Sequence, residues 1–147
     1  MIIRKMTFED AQAVALIEKD NFSEPWSEES LNDFLKHDYS HFFVAEKDDR
    51  IIGYIGAYIA GDGMDITNVA VDKNERNQGI GGKLIDSVFE CAKAHNCPVV
   101  NLEVRESNLS AIGLYEKKGF KSLGIRKNFY SKPVESAIIY QYEICEI

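Results

Sequence analysis

Residues 76–83 read Arg-Asn-Gln-Gly-Ile-Gly-Gly-Lys, a glycine-rich stretch between an apolar run, Thr67-Asn-Val-Ala-Val-Asp72, and a helical pattern. At a strand-to-helix junction the first backbone N–H groups of the helix lack partners and the helix dipole adds positive potential, so the expected ligand is an anion. Glycine at positions 79, 81 and 82 lets a phosphate approach the backbone closely. Two familiar nucleotide loops do not fit. A Walker-type loop needs glycine where Asn77 stands and Ser or Thr where Leu84 stands. The dinucleotide pattern begun at Gly79-Ile-Gly81 would also need glycine at Leu84. The competing reading is a tight connection whose glycines serve only the turn.

Further along, Asn101, Glu103 and Arg105 alternate with Leu102 and Val104, which in a strand sets a carboxylate on one face beside the presumed ligand. Glu103 taken alone is an ordinary solvated strand residue, and Tyr115 an ordinary core or rim aromatic. Their joint presence beside an anion-binding turn is what makes them candidates.

The elements that must position these groups follow from periodicity. Ile2 to Lys5 suits a short strand, and Thr7 with Asp10 forms an N-cap pair before a helix through Val14 and Ile17. Pro25 interrupts it, and Ser27 caps a second helix carrying Leu31, Phe34 and Leu35. Between them Phe22-Ser-Glu-Pro-Trp-Ser27 is a loop with an aromatic tip. From His41 to Val71, breaks at Asp48-Asp49 and Gly61-Asp-Gly63 predict three successive strands. Ile80, Leu84, Val88 and Ala92 mark a helix ending near His95-Asn96, and Pro98 opens a strand from Val99 to Val104. A helix from about Asn108 to Lys118 stops at Gly119, and strands from Phe120 to Arg126 and Ala137 to Glu143 follow. The central strand-helix-strand unit requires a right-handed crossover and locally parallel neighbours, whereas the hairpins are antiparallel. The expectation is an α/β domain spanning 1–147, with a mixed, mostly antiparallel sheet, a central β-α-β unit and flanking helices.

With 147 residues, 45% of them apolar, the chain suits one sizeable core. Seventeen Lys plus Arg against twenty-four Asp plus Glu give a net charge of −7, which argues against nucleic acid or anionic lipid as a partner and favours a basic one. Cys91, Cys97 and Cys145 form no Cys-x-x-Cys pair and are expected to be packing residues in a reducing compartment. His37, His41 and His95 show no ligand spacing among themselves, so no metal is expected. The amino-terminal residues do not look like a signal peptide and no apolar run is long enough to span a bilayer, so a cytoplasmic protein without a membrane partner is expected.

Arg76-Asn-Gln-Gly79-Ile-Gly81, in this strand-helix context, resembles the signature of the GCN5-related N-acetyltransferase (GNAT) superfamily. Phe22-Ser-Glu-Pro-Trp-Ser27, Asn68-Val-Ala-Val-Asp72, Asn101-Leu-Glu-Val-Arg105 and the segment from Asn108 to Phe120 resemble more narrowly the bacterial family that acetylates the N-terminal alanine of ribosomal protein S18. The resemblance covers nearly the whole chain. It implies the GNAT fold, acetyl-coenzyme A as cosubstrate and a protein N-terminus, that of ribosomal protein S18, as partner. It implies that Val69, Ala70 and Val71 pair with the pantetheine arm, that Asn77, Gln78, Gly79, Ile80, Gly81 and Gly82 hold the pyrophosphate, and that Asn108 adds a coenzyme contact. Glu103 takes the place of the general base, Tyr115 that of the general acid, and Phe22 to Ser27 helps shape the peptide groove. Glu75 departs from the pattern, setting a negative charge beside the phosphate loop that either weakens coenzyme binding or points to solvent. Two alternatives stay open: an acetyltransferase for a small amine or a lysine side chain, and a coenzyme-A-binding sensor without turnover.

Overall fold

The computed structural model describes residues 1–144; Cys145 lies outside the described residues. In chain order the elements are β1 (Ile2–Lys5), α1 (Ala11–Asn21), α2 (Glu28–Leu35), β2 (Phe43–Lys47), β3 (Arg50–Ala60), β4 (Gly63–Val71), α3 (Ile80–Ala94), β5 (Val99–Arg105), α4 (Leu109–Lys118), β6 (Lys121–Ser131) and β7 (Val134–Glu143). They form one seven-stranded sheet ordered β1-β2-β3-β4-β5-β7-β6, in which only β4 and β5 are parallel. The expected mixed, mostly antiparallel sheet around a β-α-β unit is therefore the one observed.

Alternation along the strands sends neighbouring side chains to opposite faces, and each face carries its own core. Ala45, Ile55 and Met64 pack with Leu84, Ile85, Val88 and Ala92 of α3 on one side. Val44, Tyr54 and Ala70 pack with Val14 and Ile17 of α1 and Leu31 of α2 on the other. Thr7 and Asp10 form the expected capping pair, but Phe8–Asp10 winds as a 3-10 turn before α1 begins. Asp10 also takes two hydrogen bonds from the Arg4 guanidinium, at 2.8 and 2.9 Å, which lower its carboxyl pKa and lock β1 to the start of α1.

The last hairpin is longer than the sequence pattern suggests. β6 runs to Ser131 and β7 starts at Val134, so most of the polar segment between Arg126 and Ala137 is strand rather than loop. Pro133 sits in the connection itself, where no ladder N–H is required. Asn128, at φ 53°, is absorbed in a register shift between Arg126 and Tyr130.

A second irregularity matters more for the site. Gly56 faces Asn68 and Ala57 faces Ile66, which leaves Thr67 as an extra residue in β4. Gly56 is required there, because a Cβ would overlap the Thr67 hydroxyl and lie 2.8 Å from the Phe42 ring. Bulges bend the strand that carries them, and beyond this one β4 leaves β5. The parallel ladder is confined to Met64↔Val100 and Asp65↔Asn101.

Candidate active site

Where β4 and β5 diverge, a cleft of about 280 Å³ opens, lined by Thr67, Asn68 and Val69 on one wall and Glu103, Val104 and Arg105 on the other. Ala111 and Tyr115 of α4, with Phe22, Trp26 and Tyr130, complete its lining. On the β5 side, the edge of β4 from Ile66 to Val71 has no strand partner among the described residues. Its backbone groups are free to pair with an extended amide chain, as an added strand would. Val69, Ala70 and Val71 are held from behind by β3 through Ile55, Tyr54 and Gly53.

β4 leads through Asp72 into the glycine-rich loop. Ser27 and Asn108 cap α2 and α4 with side-chain oxygens, whereas α3 starts at Gly79 with no side-chain cap. Gly79 adopts φ 75°, a left-handed turn, as does Asn77 at φ 64°. The N–H groups of Ile80, Gly81 and Gly82 precede the first intrahelical bond, from Lys83 N to Gly79 O, and so remain available to an anion.

The glycines divide between two tasks. A Cβ on Gly81 would lie 3.0 Å from Leu114 Cδ2 and one on Gly82 3.0 Å from Lys118 Cε, so a side chain at either position would point at α4, while the backbone N–H groups stay at the loop. Lys118 completes that packing with a 2.7 Å ion pair to Asp86. Gly81→Val is accordingly expected to cost about 1–3 kcal/mol of stability by overpacking, visible as a lower Tm in coenzyme-free protein. An unchanged Tm combined with a raised Kd for acetyl-coenzyme A would return Gly81 to the ligand.

Glu75 neither points to solvent nor presents bare charge to the loop. It is buried, 3.2 Å from both Lys47 Nζ and Arg50 Nη2, and accepts a hydrogen bond from Gln78 Nε2 at 3.1 Å. These partners, Lys47 foremost, lower its carboxyl pKa, and the pair of cations cancels its charge. Its effect is to brace Gln78 within the loop.

Glu103 occupies the middle of β5, where burial alternates residue by residue as the pattern predicts. Its nearest cation is Arg126, 3.8 Å away. Tyr115 is buried, and desolvation pushes its phenol pKa up, so the hydroxyl stays protonated. Asn108 Oδ1 accepts from Ala111 N at 3.2 Å, and its amide N–H groups are the donors it can offer a ligand.

Several residues in or behind the cleft escaped the sequence reading. Glu18, fully buried on α1, accepts from Trp26 N at 3.3 Å and Asn68 Nδ2 at 2.9 Å, tying the Phe22–Ser27 loop to β4. Burial pushes its carboxyl pKa up against these hydrogen bonds. Tyr130 lies beyond the expected strand end at Arg126; Arg105 stacks over its ring at 4.3 Å and donates to the carbonyls of Lys132 and Pro133. Ser23 donates to Lys132 O and Ser131 to Glu24 Oε1, so the two loops meet across the mouth of the cleft. The alternation of Asn101, Glu103 and Arg105 was a usable signal for Arg105; nothing local marks Glu18.

The acetyltransferase (GNAT) family's model matches residues 11–120, and the chain belongs to that family, whose members draw on acetyl-coenzyme A as cosubstrate. Within it, the chain is 39% identical over 145 residues to a candidate [ribosomal protein bS18]-alanine N-acetyltransferase of Bacillus subtilis, covering 98% of this chain and 96% of that one. It is 30% identical over 134 residues to the N-alpha-acetyltransferase RimI of Mycobacterium tuberculosis, covering 87% and 83%. The crystal structure of the ribosomal-protein-S18-alanine N-acetyltransferase from Escherichia coli superposes with a TM-score of 0.89 at 28% identity, covering 99% of this chain and 95% of that one.

Proposed function

We propose that this enzyme transfers the acetyl group of acetyl-coenzyme A to the α-amine of a protein N-terminus, the N-terminal alanine of ribosomal protein S18 being its substrate. The observation that carries this reading is the cleft at the β4–β5 divergence, with Glu103 and Tyr115 in its walls and a mouth bounded by the Phe22–Ser27 loop and the β6–β7 turn. The relatives named for the bS18 alanine support the particular substrate.

Acetyl-coenzyme A supplies an activated thioester. The chain's own groups must then provide a neutral amine, hold it near the carbonyl carbon, stabilise the oxyanion and protonate the sulfur. The α3 N-terminus, with Asn77, Gln78, Gly79, Ile80, Gly81 and Gly82, seats the pyrophosphate, and the free edge of Val69, Ala70 and Val71 pairs with the pantetheine arm. A β4 backbone N–H polarises the carbonyl. Asn108 adds an amide donor at the start of α4. An α-amine has a reference pKa of about 7.7–8.0 and is mostly protonated at neutral pH, so Glu103, directly or through water, takes its proton. Tyr115 donates its hydroxyl hydrogen to the departing sulfur. Because burial raises its pKa, this donation stabilises the thiolate chiefly as a charge-assisted hydrogen bond.

The test is a panel of N-terminal peptides incubated with acetyl-coenzyme A, with the acetyl group located by mass spectrometry. Acetylation of the α-amine of an alanine-initiated S18 peptide is expected. Transfer to lysine side chains or small amines alone would replace the substrate, and binding of coenzyme without transfer to any acceptor would replace the activity.

A further inference from the structure

At the opposite end of α3 from the phosphate loop, His41, Cys91 and His95 converge, with one donor atom from each within 4.8 Å of the others. We propose that these three side chains form a binding site for Zn²⁺, with water as the fourth ligand, separate from the acetyl-transfer cleft. The spacing of the histidines gives no hint of it. Cys91 and His95 stand four residues apart on one helix face, and the sheet returns His41 to meet them.

Three features favour a cation here. His41 is fixed in place, since its backbone N–H donates to Ala57 O at 2.8 Å, and its Nε2 is buried without a hydrogen-bond partner among the described residues. An unpaired buried nitrogen costs free energy that a metal would recover. His95 caps α3, where the helix dipole is negative; its Nδ1 donates to Cys91 O at 2.9 Å and lies 3.7 Å from Cys91 Sγ, so the ring is held beside the sulfur with Nε2 left as its lone-pair nitrogen. The two imidazoles lie 4.5 Å apart between centroids. One thiolate with two imidazoles is a borderline-soft donor set that suits Zn²⁺ better than Mg²⁺ or Ca²⁺.

Four features oppose it: the His95 Nδ1 bond to Cys91 O must be kept or exchanged, the Lys5 cation lies near both Cys91 and His41, the donors must draw together, and the thiol must lose its proton. Tetrahedral Zn²⁺ with bonds of about 2.0–2.3 Å needs donors roughly 3.5 Å apart, so the cluster must contract by about 1 Å. The exposed ring of His95 can supply that movement. Cys91 must release its proton to solvent on binding, against a thiol pKa that burial raises and the nearby Lys5 lowers. Burial, His95 and Lys5 also lower the His41 pKa, which favours the neutral ring a metal requires.

The site joins the C-terminal end of α3 to the segment entering β2, about 20 Å along the helix axis from the phosphate loop. Its expected effect is therefore on stability and not on transfer. Titration of the reduced full chain with Zn²⁺ by calorimetry should show one saturable site and a raised Tm. Cys91→Ser and His95→Gln should each weaken binding by about tenfold or more, while Cys97→Ser and His37→Ala leave it unchanged. Co²⁺ should give a thiolate-to-metal absorption band that Cys91→Ser abolishes. His95 is exposed, so His95→Gln serves as the test even where a His41 variant misfolds. Failure of the wild type to bind Zn²⁺, equal binding by Cys91→Ser and His95→Gln, or a Co²⁺ complex without the thiolate band would each overturn the assignment.

Discussion

Glu103→Gln is expected to lower kcat/KM on an N-terminal peptide at neutral pH, by about a hundredfold at most, while the Kd for acetyl-coenzyme A stays near that of wild type. Glutamine keeps the size and hydrogen-bonding shape of the side chain but cannot accept the amine proton. The effect falls at the low end for general bases because an unprotonated α-amine is already a good nucleophile, so the base contributes by generating it. The sign of the pH dependence follows. As pH rises through the amine pKa of about 7.7–8.0, solvent supplies the free amine and the variant's rate climbs toward that of wild type. A variant damaged in coenzyme positioning would gain no such relief. Profiles of kcat/KM against pH that coincide in height and shape would make Glu103 a bystander on β5 and send the search for the base to its neighbours.

Tyr115→Phe is expected to slow turnover by about tenfold to a hundredfold, the loss that follows removal of a charge-assisted hydrogen bond worth about 1.5–3 kcal/mol. The ring remains, so its packing against Phe120 and coenzyme affinity should both survive. Burial holds the Tyr115 hydroxyl protonated, so it titrates above the working range and contributes no limb to the profile. The Phe variant should therefore run parallel to wild type at every pH, in contrast to the converging profile of Glu103→Gln. A normal kcat removes the acid role, and a profile that converges at high pH reassigns the hydroxyl to handling the amine proton.

Glu18 links the Phe22–Ser27 loop to Asn68, and Arg105 holds the β6–β7 turn, so both sides of the cleft are fixed by side-chain hydrogen bonds. A substitution at Glu103 or Tyr115 changes a proton's path without releasing either wall.

What the sequence determined by itself is whatever short-range physics governs. The alternation along Val99 to Val104 settles which face carries Glu103, the fourfold spacing from Ile80 to Ala92 settles α3, and Gly119 settles where α4 stops. The lack of a capping side chain before Ile80 was equally legible, because it depends on Gly79 alone. Tertiary structure decided the rest. Which way a side chain at Gly81 would point depended on where α4 packs, and whether Glu75 carried free charge depended on Lys47 and Arg50 arriving from another hairpin. The β6–β7 hairpin kept its strands through Asn128 because pairing partners outweigh the local preference for a turn. The opening of the cleft itself rests on one extra residue, Thr67, and no pattern in β4 announces it. A bulge is a mismatch between two strands, so it exists only once Gly56 and its neighbours are in register beside it.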